Sequence, residues 1–137
     1  MKTEITVDAI AENNDKVIDF INGILAEAEC SKKAIVQLDV AVEEIFVNIA
    51  HYAYAPGSGK ARIIVEVLKD SSAVRITFID SGKPYDPLAK QDPDITLSSE
   101  ERKIGGLGIY IVKKSMDEVT YEYKDGCNNL SIFKKIS

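Results

Sequence analysis

The stretch Ser31–Ile49, SKKAIVQLDVAVEEIFVNI, decides how the rest of the chain is read. Ile35, Leu38, Val42, Ile45 and Ile49 recur at spacings of three and four, the pattern of one apolar stripe on a helix. Ser31 stands where an N-cap is wanted, and Pro56-Gly57-Ser58-Gly59 closes the segment. On the same helix Glu44 and Asn48 are four residues apart and stack on one face. At about 100° per residue that face points away from the apolar stripe. Taken alone, the pair reads as a solvated glutamate and asparagine.

Upstream, Thr3–Asp8 has the period of two expected of a strand. Val17, Ile18, Ile21, Ile24 and Leu25 place a helix over Ala9–Glu29, weakened slightly by Gly23. Downstream, Ala61–Lys69 and Ala73–Ile79 are β-branched runs on either side of Lys69-Asp70-Ser71-Ser72, which predicts an antiparallel hairpin. Ile109, Val112 and Met116 restart a helical pattern. Val119–Tyr123 and Leu130–Ile136 read as a second hairpin about the Asp125-Gly126 turn. Between these elements, residues 80–108 hold three of the four prolines and four of the eight glycines, with little periodicity. A loop this long inside a compact domain is usually functional.

The chain has 137 residues, close to the roughly 150 of one domain, so a single domain over residues 1–137 is expected. It is 45% hydrophobic and 28% charged, an ordinary globular composition. A formal net charge of −5 argues against a broad electrostatic grip on nucleic acid or anionic lipid, although a local basic cluster suits phosphate. Cys30 and Cys127 have no metal-ligand spacing and suggest no disulfide scaffold, which fits reduced thiols in the cytoplasm. The start lacks the pattern of a signal peptide, and no stretch approaches the roughly 18 apolar residues of a membrane span.

Two further segments bear on Glu44 and Asn48. Asp80-Ser81-Gly82 lies where a strand gives way to the long loop, a place where a carboxylate is held rigidly and glycine permits close approach to the backbone. By itself it is equally a simple turn. Gly105-Gly106-Leu107-Gly108 opens the third helix, where free N–H groups and the helix dipole favour phosphate. No Gly-Lys-Ser/Thr follows and no strand directly precedes it, so it is neither a Walker loop nor a dinucleotide fingerprint.

Glu44-x-x-x-Asn48, Asp80-x-Gly82 and Gly106-x-Gly108, in this order, resemble the N, G1 and G2 boxes of the GHKL (histidine-kinase-like) ATPases. The residues from Glu43 to Tyr54, from Asp80 to Pro87, and from Ile104 to Val112 with Met116-Asp117 resemble more closely the bacterial anti-sigma regulatory factors with serine-kinase activity. The likeness covers nearly the whole chain. It implies the Bergerat fold: a two-layer α+β sandwich with helices on one face of a mixed, mostly antiparallel sheet, and a nucleotide between that face and a lid. It also implies an ATP- and Mg²⁺-dependent serine/threonine protein kinase in transcription regulation, partnered by a sigma factor or similar regulator and a STAS-type antagonist. Related factors often form homodimers.

The resemblance assigns Asn48 to a Mg²⁺ shared with the triphosphate, in keeping with that ion's preference for oxygen. It makes Glu44 the general base for the attacking hydroxyl. Asp80 would accept from the adenine amino group, Gly82 would leave room for the ring, and Gly106, Leu107 and Gly108 would offer N–H groups to the phosphates. Glu43 competes for the role of base but lies a residue out of register. Arg102 and Lys103, just before the glycines, are the cations expected at the β- and γ-phosphates, with a solvated charge run as the alternative.

Pro84 stands where many members have a second glycine, and it fixes φ and has no N–H. The segment from Leu88 to Ile104 corresponds to a short ATP lid. His51 suits a helix terminus or solvent, and Tyr52 and Tyr54 suit either flanking the nucleotide or packing the helix onto the sheet. Asn129 and Ser131 share a face of the last strand, where the family often places a threonine near adenine. The alternative function is a non-catalytic, ATP-responsive module that sequesters a regulatory partner. A catalytic domain cut from a sensor histidine kinase fits less well, because no helix pair with a phospho-acceptor histidine precedes the boxes.

Overall fold

Alternating apolar and polar side chains make five strands among the described residues, and the three central ones bury one face each. The structure, a computed structural model, describes residues 2–89 and 106–137. Its strands are β1 (Lys2–Asp8), β2 (Lys60–Leu68), β3 (Ala73–Asp80), β4 (Glu118–Lys124) and β5 (Cys127–Lys135). They lie in the order β1-β2-β3-β5-β4. All four pairings are antiparallel, so the sheet is not mixed among the described residues. Ala61, Ile63 and Val65 of β2, Val74, Ile76 and Phe78 of β3, and Leu130 and Ile132 of β5 form the buried face.

Among the described residues three helices cover that face and supply most of the rest of one core. Helix α1 (Asn14–Glu27) follows a short 3₁₀ turn at Ala11–Asn13, so the helix expected from Ala9 begins later. It buries Val17, Ile21, Ile24 and Leu25. Helix α2 (Lys32–Asn48) is capped as expected, with Ser31 Oγ accepting from Ala34 N at 3.2 Å. Besides Leu38, Val42 and Ile45 it buries Ala34, Ala41 and Phe46, because α2 packs against both α1 and α3 (Gly106–Ser115). Its C-terminus loosens into a π-helical turn at Ile49–Ala53.

Both hairpins form. Asp125 and Gly126 take φ of 55° and 75°, as a two-residue loop joining twisted strands requires. Strand β3 runs one residue further than expected, to Asp80, and β5 starts at Cys127 instead of Leu130. The polar run Cys127-Asn128-Asn129 reads as turn, yet its backbone pairs with β3 and β4. Among the described residues no helix is long and apolar enough to cross a membrane.

Candidate nucleotide site

The added length of β3 and β5 places Asp80 directly opposite Asn128. Both are 6% exposed, and both belong to the helix-covered face. A buried polar group must find hydrogen bonds, and these two find each other: Asn128 Nδ2 donates to Asp80 Oδ1 at 2.9 Å. Gly82 N donates to the same oxygen at 2.9 Å, closing an Asx turn. Among the described residues no hydrogen bond reaches Asp80 Oδ2, and Asp80 lines a cavity. One carboxylate oxygen is thus anchored and the other left as an acceptor.

The turn after Asp80 is fastened to the end of α2. Tyr54 donates its hydroxyl proton to the Lys60 carbonyl at 2.5 Å and accepts from Ser81 N at 2.7 Å. Lys83 N donates to the Ala53 carbonyl at 2.9 Å. A Cβ on Gly82 would lie 2.2 Å from that carbonyl oxygen, and Gly82 does not line the cavity. The room Gly82 leaves is therefore filled by Ala53, where the resemblance implied room for a ring. The glycine is needed so that the loop and the π-helical turn can approach closely.

The cavity, of about 380 Å³, lies between α2, the ends of β3 and β5, and the first turn of α3. Asn48, Asp80 and Asn128 are among its polar lining, while Ile45, Phe78 and Leu130 are among its apolar walls. This mixture of many apolar and few polar groups suits a small ligand. Glu44, one turn before Asn48, lies against α3: a Cβ on Gly108 would sit 2.2 Å from Glu44 Oε2. The N–H groups of Gly106, Leu107 and Gly108 have no acceptor within their own helix. Asn48 thus lines the cavity together with Ile109 of α3, while the Glu44 carboxylate lies against that helix outside the lining.

Several residues singled out in the sequence lie elsewhere. Glu43, the rival to Glu44, faces α1 and accepts from Asn14 Nδ2 at 3.4 Å. Asn129 and Ser131 do share a face, but it is the open face of the sheet. There Ser131 Oγ lies 2.8 Å from Thr77 Oγ1, and Asn129 Nδ2 donates to the Cys127 carbonyl at 3.1 Å. Asn128, which the sequence reading passed over, occupies the cavity side. His51 is exposed, with its ring edge on Tyr52. Cys30 and Cys127 are free thiols, and burial pushes the Cys30 thiol up. Arg102 and Lys103 lie outside the described residues.

Residues 7–134 match the model of the histidine kinase-like ATPase domain. The chain belongs to this family. The serine-protein kinase RsbW of Listeria monocytogenes is 29% identical over 110 residues, 77% of this chain and 69% of that protein. RsbW of Staphylococcus aureus is 27% identical over 139 residues, 97% of this chain and 86% of that protein. The serine/threonine-protein kinase BtrW of Bordetella bronchiseptica is 27% identical over 95 residues, 69% of this chain and 66% of that protein. The crystal structure of a Mycobacterium tuberculosis chain with RsbU and RsbW domains shares the fold, with a TM-score of 0.70 at 17% identity. That likeness covers 99% of the present chain and 32% of the other. Membership in a histidine kinase-like ATPase family agrees with a cavity at the helix-covered end of an antiparallel sheet.

Proposed function

We propose that this histidine kinase-like ATPase domain is an ATP- and Mg²⁺-dependent serine/threonine protein kinase acting on a STAS-type antagonist. In the same reading it holds a sigma factor or similar regulator and so acts as an anti-sigma factor. The observation that carries the proposal is that one cavity is lined by Asn48, by Ile109 of α3 and by Asp80, whose Oδ2 receives no hydrogen bond among the described residues, while Glu44 lies against Gly108 of the same helix. Relatives named as serine-protein kinases support the choice of reaction.

The residues fit the nucleotide and its ion. Among the described residues Asp80 Oδ2 is an acceptor without a donor, suited to an amino group on a flat base walled by Phe78 and Leu130. Asn48 Oδ1 is a neutral oxygen of the kind a hard divalent cation takes beside phosphates and waters. Bound Mg²⁺–ATP would supply the phosphoryl group and spread its negative charge. The α3 N–H groups would hold the phosphates, and the resemblance adds Arg102 and Lys103 to that role. Glu44 accepts the proton of the attacking serine hydroxyl at its carboxylate as that oxygen bonds to phosphorus and the bond to ADP breaks.

The second reading is a module that binds ATP and a partner without transfer. It is favoured by Glu44, whose carboxylate lies on α3 and does not line the cavity. Incubation with γ-labelled ATP and a STAS-domain protein distinguishes them. Label on the STAS serine, lost in Glu44→Gln, supports the kinase, and nucleotide binding with no label on any STAS partner supports the module.

A further inference from the structure

Asn128 commits its whole hydrogen-bonding capacity to the loop that carries Asp80. A side-chain amide has two protons to donate and an oxygen that accepts twice. The Nδ2 protons go to Asp80 Oδ1 at 2.9 Å and to the Lys83 carbonyl at 2.8 Å. Its Oδ1 accepts from Tyr85 N at 3.0 Å and from the Tyr121 hydroxyl. Two of these bonds grip the peptide groups on either side of Pro84, which has no N–H of its own. Reversing the amide would set its oxygen against two acceptors and its NH₂ against a donor, so one orientation is enforced. Burial raises the Tyr121 phenol above its usual range, more than the Tyr85 N–H lowers it, and keeps it a donor.

We infer that Asn128 is a positioning residue for base selection: it holds Asp80 as an acceptor-only carboxylate, so that the cavity takes a 6-amino purine and rejects a 6-oxo purine. The inference rests on the reading of this cavity as a nucleotide site. Two donors occupy Asp80 Oδ1, which leaves Oδ2 as the carboxylate oxygen available to accept from a ligand. An amino group gives it a proton. A carbonyl in the same place brings a second acceptor, and the unmatched pair is disfavoured. Without Asn128 the carboxyl loses one of its two donors and the turn at Pro84 loses both ties. The carboxylate is then no longer held in the orientation that matches an amino group.

Calorimetric titration of the full chain with Mg²⁺–ADP and Mg²⁺–IDP measures the selection. Wild type is expected to favour ADP by at least about 100-fold. Asn128→Ala should reduce that ratio by at least about tenfold, the loss of a hydrogen bond to a charged group. Asn128→Asp keeps the shape and both acceptor positions but sets a carboxylate oxygen against Asp80 Oδ1, so the two must share a proton. Its ADP affinity should fall as pH rises from about 6 to about 8, where wild type stays flat; a role in packing alone would not create that slope. Tyr121→Phe removes one donor to Asn128 and keeps the ring. It should lower the ratio by about twofold to fivefold, and it decides the matter if the Asn128 variants do not fold. An unchanged ratio in folded Asn128→Ala or in Tyr121→Phe, or a flat pH profile in Asn128→Asp, overturns the inference while wild-type binding upholds the site. Wild type that binds neither nucleotide overturns the site reading and this inference with it.

Discussion

Gly108→Ala is expected to separate folding from chemistry. The added Cβ would lie 2.2 Å from Glu44 Oε2 and 3.0 Å from its Cδ. Ordinary contact is about 3.5 Å, so the carboxylate has to move by more than about 1 Å. The obstacle is the end of a flexible side chain, which makes the move cheap for the fold. Alanine in place of glycine in the first turn of α3 contributes up to about 1 kcal/mol of helix propensity. Tm should stay level or rise by a few degrees, at roughly 2–5 °C per kcal/mol for a chain of this size. Displacing by about 1 Å a group that must meet the attacking hydroxyl lowers transfer about 100-fold, which is roughly 2.7 kcal/mol of barrier. Single-turnover transfer from saturating ATP to a STAS-domain serine reads this directly, with a melting curve and an ADP titration alongside. Transfer at the wild-type rate in folded Gly108→Ala would refute the claim that the position of Glu44 against α3 serves the reaction.

Other substitutions test the frame around the site. Gly82→Ala meets backbone, with its Cβ 2.2 Å from Ala53 O and 2.6 Å from Ala53 C; it should cost about 1–3 kcal/mol in denaturant melts and weaken nucleotide binding as well. Ser31→Ala removes the acceptor for Ala34 N and should lower stability by about 1 kcal/mol without changing ADP affinity. Asp39 is raised above its ordinary 3.8 by burial, partly offset by a hydrogen bond from Asn22, while its Oδ1 and Asn22 Oδ1 are buried without partners among the described residues. The native state therefore binds the extra proton, and wild-type stability falls as pH rises from 3.8 through the raised value. Asp39→Asn should be more stable than wild type at neutral pH by about 0.5 kcal/mol once solvent screening is allowed for, an advantage that shrinks below pH 3.8; equal melts at both pH values would contradict this.

The helices and hairpins were legible because period and turn chemistry are local. The stripe of Leu38, Val42 and Ile45, the Ser31 cap and the Asp125-Gly126 turn needed no tertiary information. Asn48 and Asp80 were legible as a pair only through resemblance, and they do line one cavity. Asn128 was not legible, because a Cys-Asn-Asn run after a glycine reads as turn. Only the register of β3 on β5 sets Asn128 opposite Asp80, 48 residues away in the chain. The fit of Gly82 against Ala53 and of Gly108 against Glu44 is likewise a matter of packing between distant segments. A sequence shows that such glycines are there without showing what they approach. The departure at Pro84 was visible, and its compensation by Asn128 on both flanking peptides was not.

The central claim is that adenine nucleotide occupies the cavity between α2, α3 and the β3–β5 edge. Titrating ¹⁵N-labelled protein with Mg²⁺–ADP and following the side-chain amides of Asn48 and Asn128 with the backbone amides of Gly82, Gly106 and Gly108 tests it most directly. The account predicts saturable shifts at these positions and none at Asn129 or Thr120 on the open face of the sheet. Saturable shifts confined to the open face, or no shifts with millimolar nucleotide, would contradict it.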